Sequence, residues 1–407
     1  METAIIPLVK NKTGDTTDVN NYRPIALVTV ASKIFEIVLL DLMEPFLSTC
    51  DNQFGFKKGH STDHCIFVLK NAIDYYRSYN SPVYTCYLDA SKCFDKINHC
   101  TLFKKLIARG ITLLLVRILV YWYRNQTFCV KWGSVSSQFF TVSNGVRQGG
   151  ILSPYLFTLY VNDLSLILNA SAPGLSMCNM KVNHLFYADD LCVMSSSPGG
   201  LQSILNIVSN YAIENDIVFN KTKSVCMVFK PLRYKLFSPT IYLNEDALEY
   251  SEKTKYLGVI LEHRCRDDDD MLRHLRGLYA RSNTLLRKFY HCTIDVKLSL
   301  FRSYCLPTYC SHLWVQYNKC TYSKLRVAFN NVYRLILGFS RSDSASHMYV
   351  SNGLDNFDTV LRKNVYGFMQ RVCNINNQLV RNVINCAMTL SNGMWSKWMH
   401  LLYTHNL

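Results

Sequence analysis

The sequence predicts an α+β fold, on three observations. Short apolar or alternating runs at residues 83–88, 183–187, 191–195 and 225–229 read as strands. Between them lie segments of helical spacing: Ile66, Leu69, Ile73 and Tyr76; residues 102–123; Leu156, Tyr160, Leu164 and Ile167; and Leu201, Ile204, Leu205, Val208, Tyr211 and Ala212. That alternation packs helices on one side of a small antiparallel sheet. A chain of 407 residues, 49% hydrophobic, is long enough for two or three subdomains with a sizeable core.

Taken in order, residues 5–10 and 21–25 are two apolar segments joined by a turn rich in Gly, Asn, Asp and Thr. They form a hairpin that offers Lys10 and Arg23 as a phosphate clamp. The run at 83–88 reads as a half-buried strand delivering Asp89, with Phe94 and Asp95 soon after. Residues 128–132 and 138–142 read as a hairpin across Gly133-Ser134. The stretch 145–154 is a glycine loop: Ser153 suits a helix N-cap and Pro154 the first helical position, so the loop feeds a helix N-terminus. Its backbone can approach a nucleotide closely.

Asp189 and Asp190 stand in the turn between strands 183–187 and 191–195. Two acids forced together repel, so a cation between them is expected, and an oxygen-only site suits Mg²⁺. With Asp89 they make the carboxylate set needed for nucleotidyl transfer with two metal ions about 3.5–4 Å apart.

Past residue 255 the composition becomes basic. The acids 267–270 precede a helix over residues 271–290, with Leu272, Leu275, Tyr279, Leu286 and Phe289 on its apolar side and Arg273, Arg276, Arg281, Arg287 and Lys288 elsewhere. The acids read as solvated charges that complement the helix dipole. A net charge of +15 points to a polyanionic partner without naming it. Sixteen cysteines without a cleavable signal read as reduced thiols of an intracellular protein, nuclear or cytoplasmic. Cys305, Cys310, His312 and Cys320 are spaced irregularly and read as core rather than zinc ligands. Residues 111–123 are too short, and interrupted by Arg117, for a membrane span. Trp395 and Trp398 read as core.

The motifs "IIPLVK", "NYRPIAL", "DNQFGFKKGHSTDHC", "YLDASKCFDKINH", "GVRQGGILSP", "FYADD", "NKTKS" and "KYLGV" follow one another in the order of a known family. Over residues 2 to about 260 the chain resembles the reverse transcriptase of non-LTR, LINE-type retrotransposons, of the jockey-like branch. The resemblance implies a right-hand polymerase. Its fingers would occupy residues 1–82, the palm 83–265 with interleaved fingers segments, the thumb 266–340 and a helical C-terminal extension 341–407. It implies that Asp89, Asp189 and Asp190 bind two Mg²⁺, with Mn²⁺ as a substitute, and that Phe94 excludes a ribose 2′-hydroxyl. Lys10, Arg23, Gln148, Gly149 and either Lys221 or Lys223 would hold the dNTP. Tyr256, Leu257 and Gly258 would grip the primer, and Arg273, Arg276 and Arg281 would track the duplex. RNA template, DNA primer or target and dNTPs are the implied partners, with no membrane.

Two departures accompany the likeness. Arg147 stands where the family usually has Pro. Met1 opens almost directly on the first fingers motif, so an endonuclease domain is expected to be missing upstream or supplied in trans. The rival to an active polymerase is an inactive nucleic-acid-binding remnant; an RNA-copying RNA polymerase is disfavoured by Phe94.

Overall fold

Strand Val83–Asp89, expected to be half-buried, has six of its seven residues buried. Its alternate side chains enter two separate cores. Tyr84, Cys86 and Leu88 meet Leu164, Leu168, Leu201 and Val208 on one face, whereas Val83 and Tyr87 join Phe54, Phe67, Phe368 and Trp398 on the other. The sheet is therefore covered on both sides, not one. A strand buried on both faces loses the alternation from which a solvated face is read. In the computed structural model, which describes residues 2–171, 173–231 and 238–403, helices Ser153–Ser171 and Pro198–Glu214 lie on the first face. Helix Thr62–Ser78 and the C-terminal helices Phe357–Asn374, Gln378–Thr389 and Met394–Tyr403 supply the second. Met1 and residues 404–407 of the expected terminal segments lie outside the described residues.

The central sheet has six strands in the spatial order Ile241–Leu243, Asp246–Tyr250, Val225–Phe229, Val83–Asp89, Asp190–Ser195 and His184–Tyr187. Neighbours run antiparallel except Val225–Phe229 and Asp246–Tyr250, which pair parallel through Val225↔Glu249 and Cys226↔Tyr250. A second sheet of four strands is ordered Tyr22–Leu27, Glu2–Val9, Thr127–Trp132 and Val135–Ser136. The N-terminal hairpin forms as expected, with Ile6 opposite Ile25. The other hairpin is interrupted. Trp132 pairs Val135 and Lys131 pairs Ser136, but Phe128 then pairs Phe140, one residue out of register. The extra residue is a bulge, closed where Val130 donates to Ser137 Oγ.

Residues 102–123, whose apolar pattern is continuous, form two helices, His99–Ala108 and Leu113–Arg124. Gly110, at φ +85°, turns the chain between them.

The basic helix spans Asp268–Phe289. Its buried face is Asp270, Met271, His274, Leu278, Ser282 and Leu285, whereas Leu272, expected inside, is exposed. The stripe is displaced because polar residues occupy inward positions: His274 packs 5.0 Å from Trp314, and Ser282 Oγ donates to Tyr279 O. Nor are the four acids all solvated. Asp267 accepts from Lys70 Nζ at 2.6 Å and from the backbone of Val315 and Gln316. Asp270, fully buried, accepts from Trp314 Nε1, Arg273 Nε and Ile260 N. These two carboxylates pin the helix to its surroundings, because a buried charge persists only when paired and hydrogen-bonded.

The expectation that every cysteine is a thiol is corrected at one pair. Cys178 and Cys386, 208 residues apart, form a disulfide. The tight hairpin Ser176–Met177/Met180–Lys181 carries Cys178 to the helix Gln378–Thr389, a proximity that no linear spacing reveals. Cys305 and Cys310 enter different cores and Cys320 is exposed, consistent with packing rather than zinc. Trp398 is buried between Phe67 and Phe368, its Nε1 donating to His312 O. No helix among the described residues is long and apolar enough to cross a membrane.

Candidate active site

Asp89 ends the central strand, and antiparallel register sets it directly opposite Asp190 on the neighbouring strand. Tyr187 pairs with Asp190 across the next hairpin, leaving Ala188 and Asp189 as its two turn residues. The sequence placed both acids in the turn; the structure makes Asp190 the first residue of the strand. Ala188 lies at φ +56°, an uncommon conformation for a residue with a Cβ, and is buried. Asp89 and Asp189 line a cleft of about 1120 Å³, whereas Asp190 is not part of its wall.

Burial and neighbouring negative charge raise Asp189 and Asp190. The Asp190 carboxyl is pushed up to about 6, first by burial and then by Asp189 and Asp89. Burial also raises Asp189, with Asp89 adding to the shift and a Cys93 hydrogen bond and Arg23 opposing it. Among the described residues no three His, Cys, Asp or Glu side chains already stand as a metal-holding group. The donor chemistry nevertheless fits a hard divalent cation: an all-carboxylate set, with two members raised partly by the others' charge and thus relieved by positive charge.

Cations line the same cleft. Lys10, just past strand Glu2–Val9, Arg23 on strand Tyr22–Leu27, and Lys92 and Lys223 all line the cleft. Lys10 Nζ donates to Asn20 O and Lys92 Nζ to Asn20 Oδ1, each at 2.9 Å, so one turn of the N-terminal hairpin steadies both. Lys92 and Asn20 were not singled out from sequence; Lys92 lies three residues past Asp89, and that spacing was the available signal. Of the two candidate lysines, Lys223 Nζ lies 3.5 Å from Asp89 Oδ2, whereas Lys221 pairs with Asp246 outside the cleft.

The glycine loop packs against strand Tyr22–Leu27, where Ala26 N donates to Gln148 O at 2.7 Å. Gly149, at φ +116°, sits so close that a Cβ would lie 2.7 Å from Ala26 O. Gln148 Nε2 donates to Asp95 Oδ1 at 2.8 Å. Arg147, the departure from the family pattern, turns inward: it ion-pairs with buried Glu36, reaches Ser32 Oγ at 3.3 Å and lies over the Trp122 ring. Glu36 also accepts from Ile151 N and Leu152 N. Phe94 stacks on Phe157 with centroids 4.6 Å apart and meets Phe56 edge-on at 6.3 Å; Phe94 and Phe56 both line the cleft.

The expected primer grip is the turn between strands Lys253–Tyr256 and Val259–Glu262. Tyr256 is buried beside Tyr87 and Cys65, so its ring is core. Leu257 and Gly258 both have positive φ and form the turn, and Tyr309 Oη donates to Leu257 O at 2.8 Å. On the basic helix, Arg273 is engaged by Asp270, Arg281 is half-buried, and Arg276 is exposed. The three arginines are not equivalent.

The family described as Reverse transcriptase (RNA-dependent DNA polymerase) matches residues 9–261. The chain belongs to the reverse transcriptase family. Its α+β layout is accordingly that of a right-hand polymerase, followed by a helical C-terminal region. The probable RNA-directed DNA polymerase from transposon X-element of Drosophila melanogaster is 28% identical over 78% of this chain and 36% of that protein. The RNA-directed DNA polymerase from mobile element jockey of the same species is 25% identical over 73% of this chain and 33% of its own length. The resemblance to jockey-like, non-LTR reverse transcriptases is thus borne out. This chain spans about a third of the length of these curated relatives. Among solved structures, apo telomerase from Candida tropicalis aligns with a TM-score of 0.48 and 12% identity, over 99% of this chain and 67% of that one.

Proposed function

We propose that this reverse transcriptase chain extends a DNA primer on an RNA template, using the cleft between Asp89 and the fingers cations. The observation that carries the reading is the wall-to-wall charge of that cleft: Asp89 and Asp189 on one side, Lys10, Arg23, Lys92 and Lys223 around them. A triphosphate needs the cations, and a metal-dependent transfer needs the acids.

In this reading, residues 1–82 are fingers, 83–265 palm with interleaved fingers segments, 266–340 thumb and 341–407 a helical extension. Asp89 and Asp189 would hold two Mg²⁺, for which Mn²⁺ would substitute, with Asp190 in support. Those ions supply charge neutralisation at the reacting phosphate. Lys10, Arg23 and Lys92 bind the triphosphate, while Gln148 and Gly149 form the floor on which nucleotide and template rest. The Phe94 ring, braced by Phe157, crowds the position of a 2′-hydroxyl. The primer 3′-hydroxyl loses its proton to water as its oxygen bonds to the α-phosphorus and the bond to the β-phosphate oxygen breaks; Lys223 donates a proton to the departing pyrophosphate. The turn Leu257-Gly258 at the end of Tyr256's strand faces the primer strand, and Arg276, with Arg273 and Arg281 behind it, follows the duplex phosphates.

The test is primer extension by the purified chain, with an RNA template, an annealed DNA primer, dNTPs and Mg²⁺ or Mn²⁺. Template-dependent extension is expected. Binding of template–primer without extension by folded protein would instead mark an inactive nucleic-acid-binding remnant.

A further inference from the structure

The turn that carries Asp189 and Asp190 is held by a residue from a distant loop. Gln53 is 2% exposed, and its Oε1 accepts two backbone hydrogen bonds, from Gly55 N at 2.8 Å and from Ala188 N at 3.2 Å. The first bond shapes its own loop; the second reaches the residue with φ +56° immediately before Asp189. The flanking backbone repeats the attachment: Phe54 N donates to Phe186 O and Phe186 N to Asn52 O, both at 2.8 Å. Residues 52–54 thus lie along strand His184–Tyr187 as an extra edge. Contact continues at Gly55, where a Cβ would lie 2.2 Å from Ala188 N, so backbone rests directly on backbone.

Two forces work against this turn. A non-glycine residue in the left-handed region stores strain, and Asp189 and Asp190 repel each other and Asp89. Within residues 187–190 the Tyr187↔Asp190 pair and a backbone hydrogen bond to the Asp189 carboxylate oppose these forces, and Gln53 adds a hold on Ala188 from outside the turn.

We infer that Gln53 is a positioning residue for the polymerase reaction: its amide oxygen fixes the Ala188 turn, and thereby the direction in which Asp189 faces the cleft. The inference rests on the proposed polymerase reading but concerns a residue outside the cleft wall, acting through the backbone rather than on substrate.

The test pairs Gln53→Met, which keeps length and loses the acceptor, with Gln53→Glu, which keeps an acceptor oxygen. Gly55→Ala provides an independent way to push the loop off the turn. Single-nucleotide extension by Gln53→Met should fall about 10- to 100-fold in kcat, the scale of a reacting group displaced by about 1 Å. Its template–primer Kd should stay within about two-fold of wild type, because the basic surface is untouched. Gln53→Glu should recover most of that loss, and Gly55→Ala should reproduce it. Hydrogen exchange gives a readout apart from activity: the Ala188 amide should exchange faster in Gln53→Met and stay protected in Gln53→Glu. Wild-type kcat in Gln53→Met, or unchanged Ala188 exchange, would overturn the inference. If the wild-type chain proves inactive, the polymerase reading fails instead, and the exchange experiment still decides whether Gln53 holds the turn.

Discussion

Arg147 and Glu36 form an ion pair inside the molecule, each side chain only 3% exposed, joining the glycine loop to helix Val30–Met43. Because Glu36 also accepts from Ile151 N and Leu152 N, one carboxylate fixes three points of that loop. The residue that departs from the family pattern is therefore built into the loop's support. Arg147→Met should cost about 3–5 kcal/mol in urea unfolding, because it strands a buried carboxylate. Adding Glu36→Gln should return part of that loss, and a double-mutant cycle measures the coupling.

Asp189→Asn should abolish primer extension while template–primer binding, followed by fluorescence anisotropy, stays within a few fold. The substitution removes charge from the carboxylate set and leaves the basic surface intact. Extension at near the wild-type rate would sink the proposed role of Asp189.

Replacing Phe94 by Val should raise incorporation of ribonucleotides relative to deoxynucleotides. The ring is held flat on Phe157, so its edge cannot swing aside to admit a 2′-hydroxyl. The ratio of kcat/KM for a matched ribo- and deoxynucleotide is the measure; an unchanged ratio with activity retained would assign the gate to another group.

On the basic helix the prediction separates two arginines. Arg276→Gln should lower the slope of log K against log salt by roughly 0.7–0.9, the value of one phosphate contact. Arg273→Gln should act mainly on stability, since its guanidinium is bonded to buried Asp270. An equal change of slope in both would mean that Arg273 releases Asp270 to bind the duplex.

Acid should destabilise the chain through two buried histidines. Burial lowers His184 to about 3 and His64 to about 4, against 6.5 for an exposed imidazole. Both folded-state values lie below the unfolded one, so the stabilisation is complete above pH 6.5 and is lost as pH falls towards 4. Between those limits the unfolded chain binds more protons, and stability should drop by roughly 1.4 kcal/mol per pH unit for each histidine. Asp190, raised to about 6, acts in the opposite sense over the same range, so the measure is a difference: in urea titrations from pH 7 to 5, His184→Gln should lower the slope by about one histidine's share relative to wild type.

What sequence could reveal was local. The strand ending at Asp89, the Asp189-Asp190 hairpin, the N-terminal hairpin and the loop before Ser153 depend on near neighbours and turn chemistry, and each formed where its residues indicated. Choosing Lys223 over Lys221 required to know which lysine the turn at Asn220 aims at Asp89. Tyr256 and Asp270 have the letters of a surface grip and a solvated acid, but partners far along the chain bury them. Glu36, and the role of Gln53 within its motif, were hidden for the same reason, since their bonds reach 111 and 135 residues away. Nor does composition disclose that the sheet has two cores, because uniform burial leaves no alternation to read.

The burial of Trp398 between Phe67 and Phe368 has a consequence for synthesis. A ribosome moving at about 5–20 residues per second makes Trp398 roughly 17–66 s after Phe67. Through that interval the second face of the polymerase sheet, including Val83, Tyr87 and Met194, lacks its final cover. The nascent chain thus carries the strands of Asp89 and Asp190 with an uncovered apolar surface behind them until the closing helices arrive.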